Sequence, residues 1–371
     1  MDLLLVTHKG RLTARAGQGG WNKIEAAIDD YLDGLGSKGI TAGLELLDWV
    51  VAEQPGADDQ KLLDQRSIKA ALGDLSANRS NHYLLILGGD DVVPFFRIKD
   101  ASDDNVLDPF IFSDSYYADF TENDQDHYPE LAVGRMPDGG QDEGKLLVSQ
   151  LARARQLHQA GGVSPRKSAG FAAKVWRAAS EATYERIGDP ATLLLSPPLD
   201  RDSFQANLLS GNTVLFFNVH GHRTLPRWYG DERILGFPRQ PELIDDGLMS
   251  QAQMADAVVF CEACHGAAIQ PNRTPQDSLA LCALQQGAAA FFGCTVKSYA
   301  VTLPDGAIHT ESGIDQLFNY LIHQVIRRKE RFGEALRDAK GYYRYNSAYD
   351  EKNILGSVLY GDPMLRVRDA Q

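Results

Sequence analysis

Two spacings of apolar residues take turns along the chain. Leu3 to His8, Ile40 to Leu47 and Tyr83 to Gly89 are apolar runs of strand length, whereas Trp21 to Leu35 and Lys61 to Leu75 set their apolar residues at helical intervals. An amphipathic stretch from Asp142 to Ala160 ends in the polar turn GGVSPRKS. Beyond it, Ala169 to Ala173, Thr192 to Ser196, Thr213 to His220, Ala257 to Cys264 and Ala288 to Thr295 read as strands. Phe204 to Ser210, Gln276 to Gln286, Gly313 to Lys329 and Phe332 to Tyr345 read as helices. Strands that alternate with helices imply parallel pairing through crossover helices. The expectation is an α/β protein of two tandem subdomains, 1–160 and 161–371, with mostly parallel sheets flanked by helices.

Composition narrows the function classes. A chain of 371 residues with 43% hydrophobic and 23% charged positions has the balance of a folded protein, and its formal charge of −13 argues against a phosphate-backbone partner. The N-terminal MDLLLVTHKG has too short an apolar run for a signal peptide, and no later apolar stretch is long enough to span a bilayer. A cytoplasmic protein with no nucleic-acid or membrane partner is expected. All four cysteines fall between Cys261 and Cys294, too close together to staple distant parts of the chain.

The chemistry gathers where two of these strands stop. In a parallel sheet, functional groups collect beyond the carboxyl ends of strands. TVLFFNVH ends in His220 and Gly221, and AVVFCEAC ends in Cys264, His265 and Gly266. If the two strands are neighbours, an imidazole and a thiol face each other across a cleft. A cysteine nucleophile needs that base, together with backbone N–H groups for the developing oxyanion. Gly221, lacking a Cβ, lets its N–H approach a substrate oxygen closely.

At these residues the sequence resembles the caspase-like cysteine peptidases, in which one strand ends in His-Gly and a later one ends in a small residue and Cys: VHG at 219–221 and EACHG at 262–266. LILGGDDVVPF at 85–95, SDSYYADF, PELAVGRMP at 129–137 and LYGDPMLRV at 359–367 are similar to landmarks of the gingipain type, in the same order. The resemblance implies the caspase-hemoglobinase fold and a cysteine endopeptidase. It makes Cys264 the nucleophile, His220 the general base and leaving-group acid, and Gly221 with the Cys264 N–H the oxyanion hole. Glu262 matches the acidic residue that metacaspases place before their Ser-Cys, and strand alternation puts it on the face of Cys264. Such a carboxylate would pair with a basic P1 side chain, arginine ahead of lysine. Glu181 lies where gingipains and caspases carry a specificity charge, with a solvated helix start as its plainer reading. Tyr299 is expected in the pocket wall, and Lys297 there would instead recruit an acidic P1 side chain.

Other readings stay open beside this one. A strand-terminal cysteine is by default a small buried hydrophobe, and Cys261, three residues before Cys264, is assigned to the core. His220, His222, Cys261, Cys264 and His265 include zinc-ligand types, which keeps a zinc-binding hydrolase built on HGH and CEACH as a rival. Strand alternation, however, would send the two thiols to opposite faces. CEACH also matches a haem-attachment string, which needs an exported context. Asp114, Asp119, Asp124 and Asp126 could offer oxygen ligands to Ca²⁺, although the spacing is not that of an EF-hand and a solvated acidic loop is the commoner outcome; no cofactor is required. A caspase-like pseudoenzyme or scaffold acting by protein binding is the second alternative. The expected partners are a protein or peptide substrate and an activating or inhibitory protein. Self-cleavage is expected in the loop after His220, which carries Arg223, Arg227, Arg233 and Arg239.

Overall fold

The computed structural model describes residues 1–50, 60–77, 82–104, 106, 108–120, 128–234, 237–270, 273–302 and 308–369. Its centre is a ten-stranded sheet. In chain order the strands are β1 (Leu3–Thr7), β2 (Ala42–Leu46), β3 (Tyr83–Leu87), β4 (Ala132–Met136), β5 (Ser168–Ala173), β6 (Leu194–Ser196), β7 (Val214–Asn218), β8 (Val258–Cys261), β9 (Ala290–Cys294) and β10 (Ser357–Gly361). Across the sheet they run β2-β1-β3-β4-β10-β9-β8-β7-β5-β6. Every pairing is parallel except β9 with β10, where Ala290 faces Gly361 and Cys294 faces Ser357. The two sets of parallel strands therefore run in opposite directions, and their carboxyl ends open on opposite edges of one sheet. The last strand returns from the second half of the chain to pair with β4, Tyr360 beside Arg135.

The apolar runs reflect burial on both faces, as parallel sheets require. Phe216, Phe260 and Phe292 alternate with Leu215, Val259 and Phe291 and feed separate clusters on the two sides. The helices are α1 (Lys9–Gly36), α2 (Gln60–Ala77), α3 (Lys145–Ala160), α4 (Arg177–Tyr184), α5 (Leu279–Gln285), α6 (Gly313–Ile322), α7 (Phe332–Tyr342) and α8 (Ala348–Gly356). Helix α1 begins well before the expected Trp21. The His8 side chain accepts from the Arg11 N–H, and Asp48 accepts the Lys9 and Gly10 N–H groups, so the helix start is capped from two strand ends. The expected helix at Phe204 to Ser210 is only a short turn, Ala206–Leu208. The hairpin Phe96–Lys99 with Phe110–Ser113 and helix α8 were not expected from periodicity. No described helix is long and apolar enough to cross a membrane.

Three of the four gingipain-like landmarks are braced together by one arginine, and the fourth is anchored to helices α1 and α3. Arg135, fully buried in AVGRM, binds Asp114 at 2.6 and 2.9 Å and donates to the carbonyls of Gly88 and Val93 at 2.8 and 2.7 Å. Asp362 of LYGDP accepts from Tyr31 and lies 2.7 Å from His158 Nε2.

Candidate active site

Strands β7 and β8 are immediate neighbours, Phe260 beside Phe216 and Cys261 beside Phe217. The chain beyond β7 forms a short strand, His220–Gly221, held antiparallel to Arg227–Tyr229. The chain beyond β8 closes a tight turn in which the Gly266 N–H donates to the Ala263 carbonyl at 2.9 Å. The two strand tips touch: a Cβ on Gly221 would lie 1.8 Å from the carbonyl oxygen of Cys264. No side chain fits at residue 221, and so the backbones of the His and Cys segments meet only because it is glycine.

Cys264 is partly exposed. Its thiol donates to the Ser298 carbonyl at 3.5 Å, and the Ser298 hydroxyl lies 3.7 Å from the sulfur and 3.0 Å from the Glu262 carbonyl. His220 packs its ring on Trp176 with centroids 4.4 Å apart, and its Nε2 sits 3.0 Å from Asp231 Oδ2. That contact leaves Nδ1 as the nitrogen available to a substrate or thiol. Asp231 was not singled out in the sequence. Its signal was present in WYGDE, an acid eleven positions after the histidine, but nothing local marks it as an orienting group.

Glu262 is buried, and burial pushes its carboxyl well above the usual range, with nearby Asp315 adding to the rise. Asp315, in the first turn of α6, is also buried and is pushed up to about 7 by desolvation. All four oxygens of the two carboxyls lack hydrogen-bond partners, as do the buried hydroxyls of Ser180 and Thr183 on the neighbouring α4. The side-chain direction of Glu262 does not come from strand alternation with Cys264, because β8 ends at Cys261 and Cys264 lies in the turn. Asp315 had no sequence signal beyond being an acid among Ile314, Leu317 and Phe318.

The remaining candidates separate. Glu181, midway along α4, is partly exposed and pairs with Arg177 one helical turn away at 2.7 Å. The Tyr299 hydroxyl bonds Asp104, and its carbonyl accepts from the Ile314 N–H at 2.8 Å, linking the wall beside Cys264 to the start of α6. Lys297 is taken by Asp104 at 2.7 Å. Cys261 is fully buried and its thiol pushed well up by burial. His265, in a left-handed conformation with φ of 54°, turns toward Asp108 rather than the thiols, and burial lowers it to about 4. Among the described residues, no three His, Cys, Asp or Glu side chains are grouped to hold a metal ion. In the acidic loop, Asp114 is committed to Arg135, while Asp124 and Asp126 lie outside the described residues.

An imidazole hydrogen-bonded to a carboxylate and a thiol on the adjoining strand tip are the kinds of group a cysteine peptidase uses, and two buried carboxyls lie close by. The family model of "Peptidase family C25" matches residues 2–368. The chain belongs to peptidase family C25, the gingipain family. A sequence search of curated proteins gives no match. Among solved structures, one described as "Structure of Protease" superposes with a TM-score of 0.64 at 14% identity, covering 100% of this chain and 79% of the other. Saccharomyces cerevisiae separase, in a separase–securin complex, matches at TM-score 0.45 and 12% identity over 97% of this chain and 24% of its own. Dimeric latent PorU from Porphyromonas gingivalis matches at 0.40 and 13%, over 98% of this chain and 30% of its own. This chain spans less than a third of those last two.

Proposed function

We propose that this cysteine peptidase cleaves after arginine, and after lysine less well, with Cys264 as nucleophile and His220 as its base. His220, oriented by Asp231 through Nε2, takes the thiol proton at Nδ1 as sulfur attacks the carbonyl carbon, and later returns it to the leaving amine. The Gly221 and Cys264 N–H groups receive the oxyanion. Water then attacks the acyl-enzyme carbonyl, assisted by the same imidazole, and releases the acid and the free thiol.

The observation that carries the P1 assignment is the Glu262–Asp315 pair. Two buried carboxyls with no partner are costly unless a cation joins them. A guanidinium has five N–H donors in a planar fork, enough for both carboxylates. An acidic P1 side chain would meet like charge where water is excluded. Fluorogenic peptides that differ only at P1 test this: cleavage in the order Arg, Lys, neutral is expected, with Asp and Glu refused and with no cleavage by Cys264→Ala. Efficient cleavage after Asp would overturn it.

Self-cleavage after His220 belongs to the same reading. Arg227 and Arg239 are held by Glu242 and Glu232, whereas Arg233 stands exposed on the strand Glu232–Ile234. Mass spectrometry of incubated protein is expected to find a cut after Arg233. An intact chain that is already fully active would count against it.

A further inference from the structure

On the outer side of α4 and α6, away from the thiol, lies a second cavity of about 410 Å³ that the peptidase reaction does not use. Gln316 and Asn319 of α6 line it, Tyr320 and Tyr342 stack at its edge with ring centroids 4.3 Å apart, and Arg186 and Arg344 enter it from separate segments. His323 completes the rim, and the positive charges of Arg186, Arg327 and Arg328 reach it strongly enough to lower its proton affinity, after burial. Two of these guanidiniums bind only backbone, Arg186 the Ala182 carbonyl and Arg327 the Glu185 carbonyl, each at 2.9 Å. None of the four arginines has an ion pair among the described residues. Glu181 on α4 is already paired with Arg177, and the exposed Glu185 beside Arg186 makes no ion pair among the described residues.

In a chain of net charge −13, gathering Arg186 and Arg344 at one cavity, with Arg327 and Arg328 close enough to act on His323 at its rim, concentrates positive charge against the overall sign. The volume is that of a small-molecule site, and forked guanidiniums arriving from two segments, Arg186 and Arg344, suit an oxyanion with several charged oxygens. We infer that this cavity binds a small phosphate-bearing polyanion, and that its occupancy braces α4 and α6 behind the arginine pocket. Phosphate is favoured over carboxylate because its oxygens point in more than two directions, matching donors that converge from separate elements. The coupling is direct in the fold. Helix α6 carries Asp315 of the buried acid pair and presents Gln316 and Asn319 to the cavity, and α4, which packs against α6, presents Ala182 with the start of the Arg186 turn to the cavity. The binding stands whether or not Glu262 and Asp315 receive arginine. The bracing of that pocket rests on the reading above.

Tripolyphosphate is the probe, titrated calorimetrically into full-length Cys264→Ala so that no turnover interferes. Saturable one-to-one binding is expected. Arg344→Gln and Arg186→Gln should each weaken it by about tenfold or more, the loss of one charge-assisted contact, and Lys23→Gln, on an exposed pair elsewhere, should leave it unchanged. Citrate, of similar charge, should bind more weakly than tripolyphosphate. Hydrogen exchange within 177–184 and 313–322 should slow on binding. Absent binding, equal binding of citrate, or indifference to both arginine substitutions would overturn the site. Binding without slower exchange in these helices would overturn the bracing.

Discussion

The carboxyl ends of the strands in the two halves of the sheet are built alike and filled differently. In the first half the described acids just beyond the strand ends have partners inside the protein. Asp48 caps α1, Asp90 holds Arg97 at 2.8 Å and the Phe95 N–H at 2.9 Å, and Asp138 with Asp91 grips Arg15 at 2.7 and 3.0 Å. In the second half, polar groups at and beyond the strand ends are left wanting: Asn218 Nδ2, Asp231 Oδ1 and both oxygens of Glu262, with both oxygens of Asp315 alongside. Among the described residues, Glu262 and Asp315 are the only carboxyls with both oxygens buried and unpartnered. A buried polar group without a partner is destabilising; the first edge closes on internal pairs, and at the second the proposed P1 cation would supply the missing partner.

Substitutions at the two edges should therefore fail in different ways. The largest effect is expected at the thiol. Cys264→Ala should cut peptidase activity by more than about a thousandfold with an unchanged melting temperature, because no other group supplies the nucleophile. Cys261→Ala, only three residues away but in the core, should remain active and lose about 1 kcal/mol of stability. Comparable activity in both variants would dissolve the assignment of the open edge.

Next comes the closed edge. Arg135→Met strands Asp114 and the carbonyls of Gly88 and Val93, and removing one partner of a buried pair costs about 3–5 kcal/mol. Urea unfolding should show that loss, while the folded fraction keeps its P1 preference. A shift in P1 preference would mean that the two edges are coupled, against the comparison.

How much of this contrast was legible beforehand follows from the range of each interaction. Strands buried on both faces announce themselves as apolar runs, and His220, Gly221 and Cys264 sit at the ends of two of them, so their meeting needed only that β7 and β8 pair. Asp231 and Asp315 could not be read. The first depends on the turn of a small antiparallel sheet that brings residue 231 back to residue 220, the second on a helix that docks 51 positions beyond the cysteine, 264 to 315. The landmarks LILGGDDVVPF, AVGRMP and SDSYYADF were visible as strings, but that Arg135 ties all three together is a property of the closed sheet.

A smaller effect is expected at Glu262. Glu262→Gln removes one charge-assisted contact to a P1 guanidinium, about 1.5–3 kcal/mol, or roughly a tenfold to hundredfold loss of kcat/KM for arginyl peptides. Neutral substrates should lose far less. Stability should not fall, because the substitution relieves a buried acid rather than breaking a pair. If Gln costs arginyl and neutral peptides equally, the recess does not read P1.

The last effect is a change in slope with pH, and it separates opposing terms. Burial raises the folded-state affinity of Asp315 for its proton to about pH 7, against about 4 in the unfolded chain. Between those values the folded state binds more protons, so stability is lost as pH rises from about 4 through 7. His265 behaves oppositely. Its folded value near 4 lies below the usual 6.5, so its contribution is lost as pH falls through that interval. A melting curve of the wild type alone mixes the two. The difference between Asp315→Asn and wild type isolates the acid: the variant's melting temperature should gain on the wild type steadily from pH 4 to 8, while the acid-side loss from His265 remains in both. Agmatine, which carries the arginine side chain's cation, should flatten the wild-type decline at high pH by pairing the ionised carboxylates, and should do so less in the variant. A gap between the two proteins that stays constant with pH would show that Asp315 ionises normally, and the open edge would then lack the buried acid that distinguishes it from the closed one.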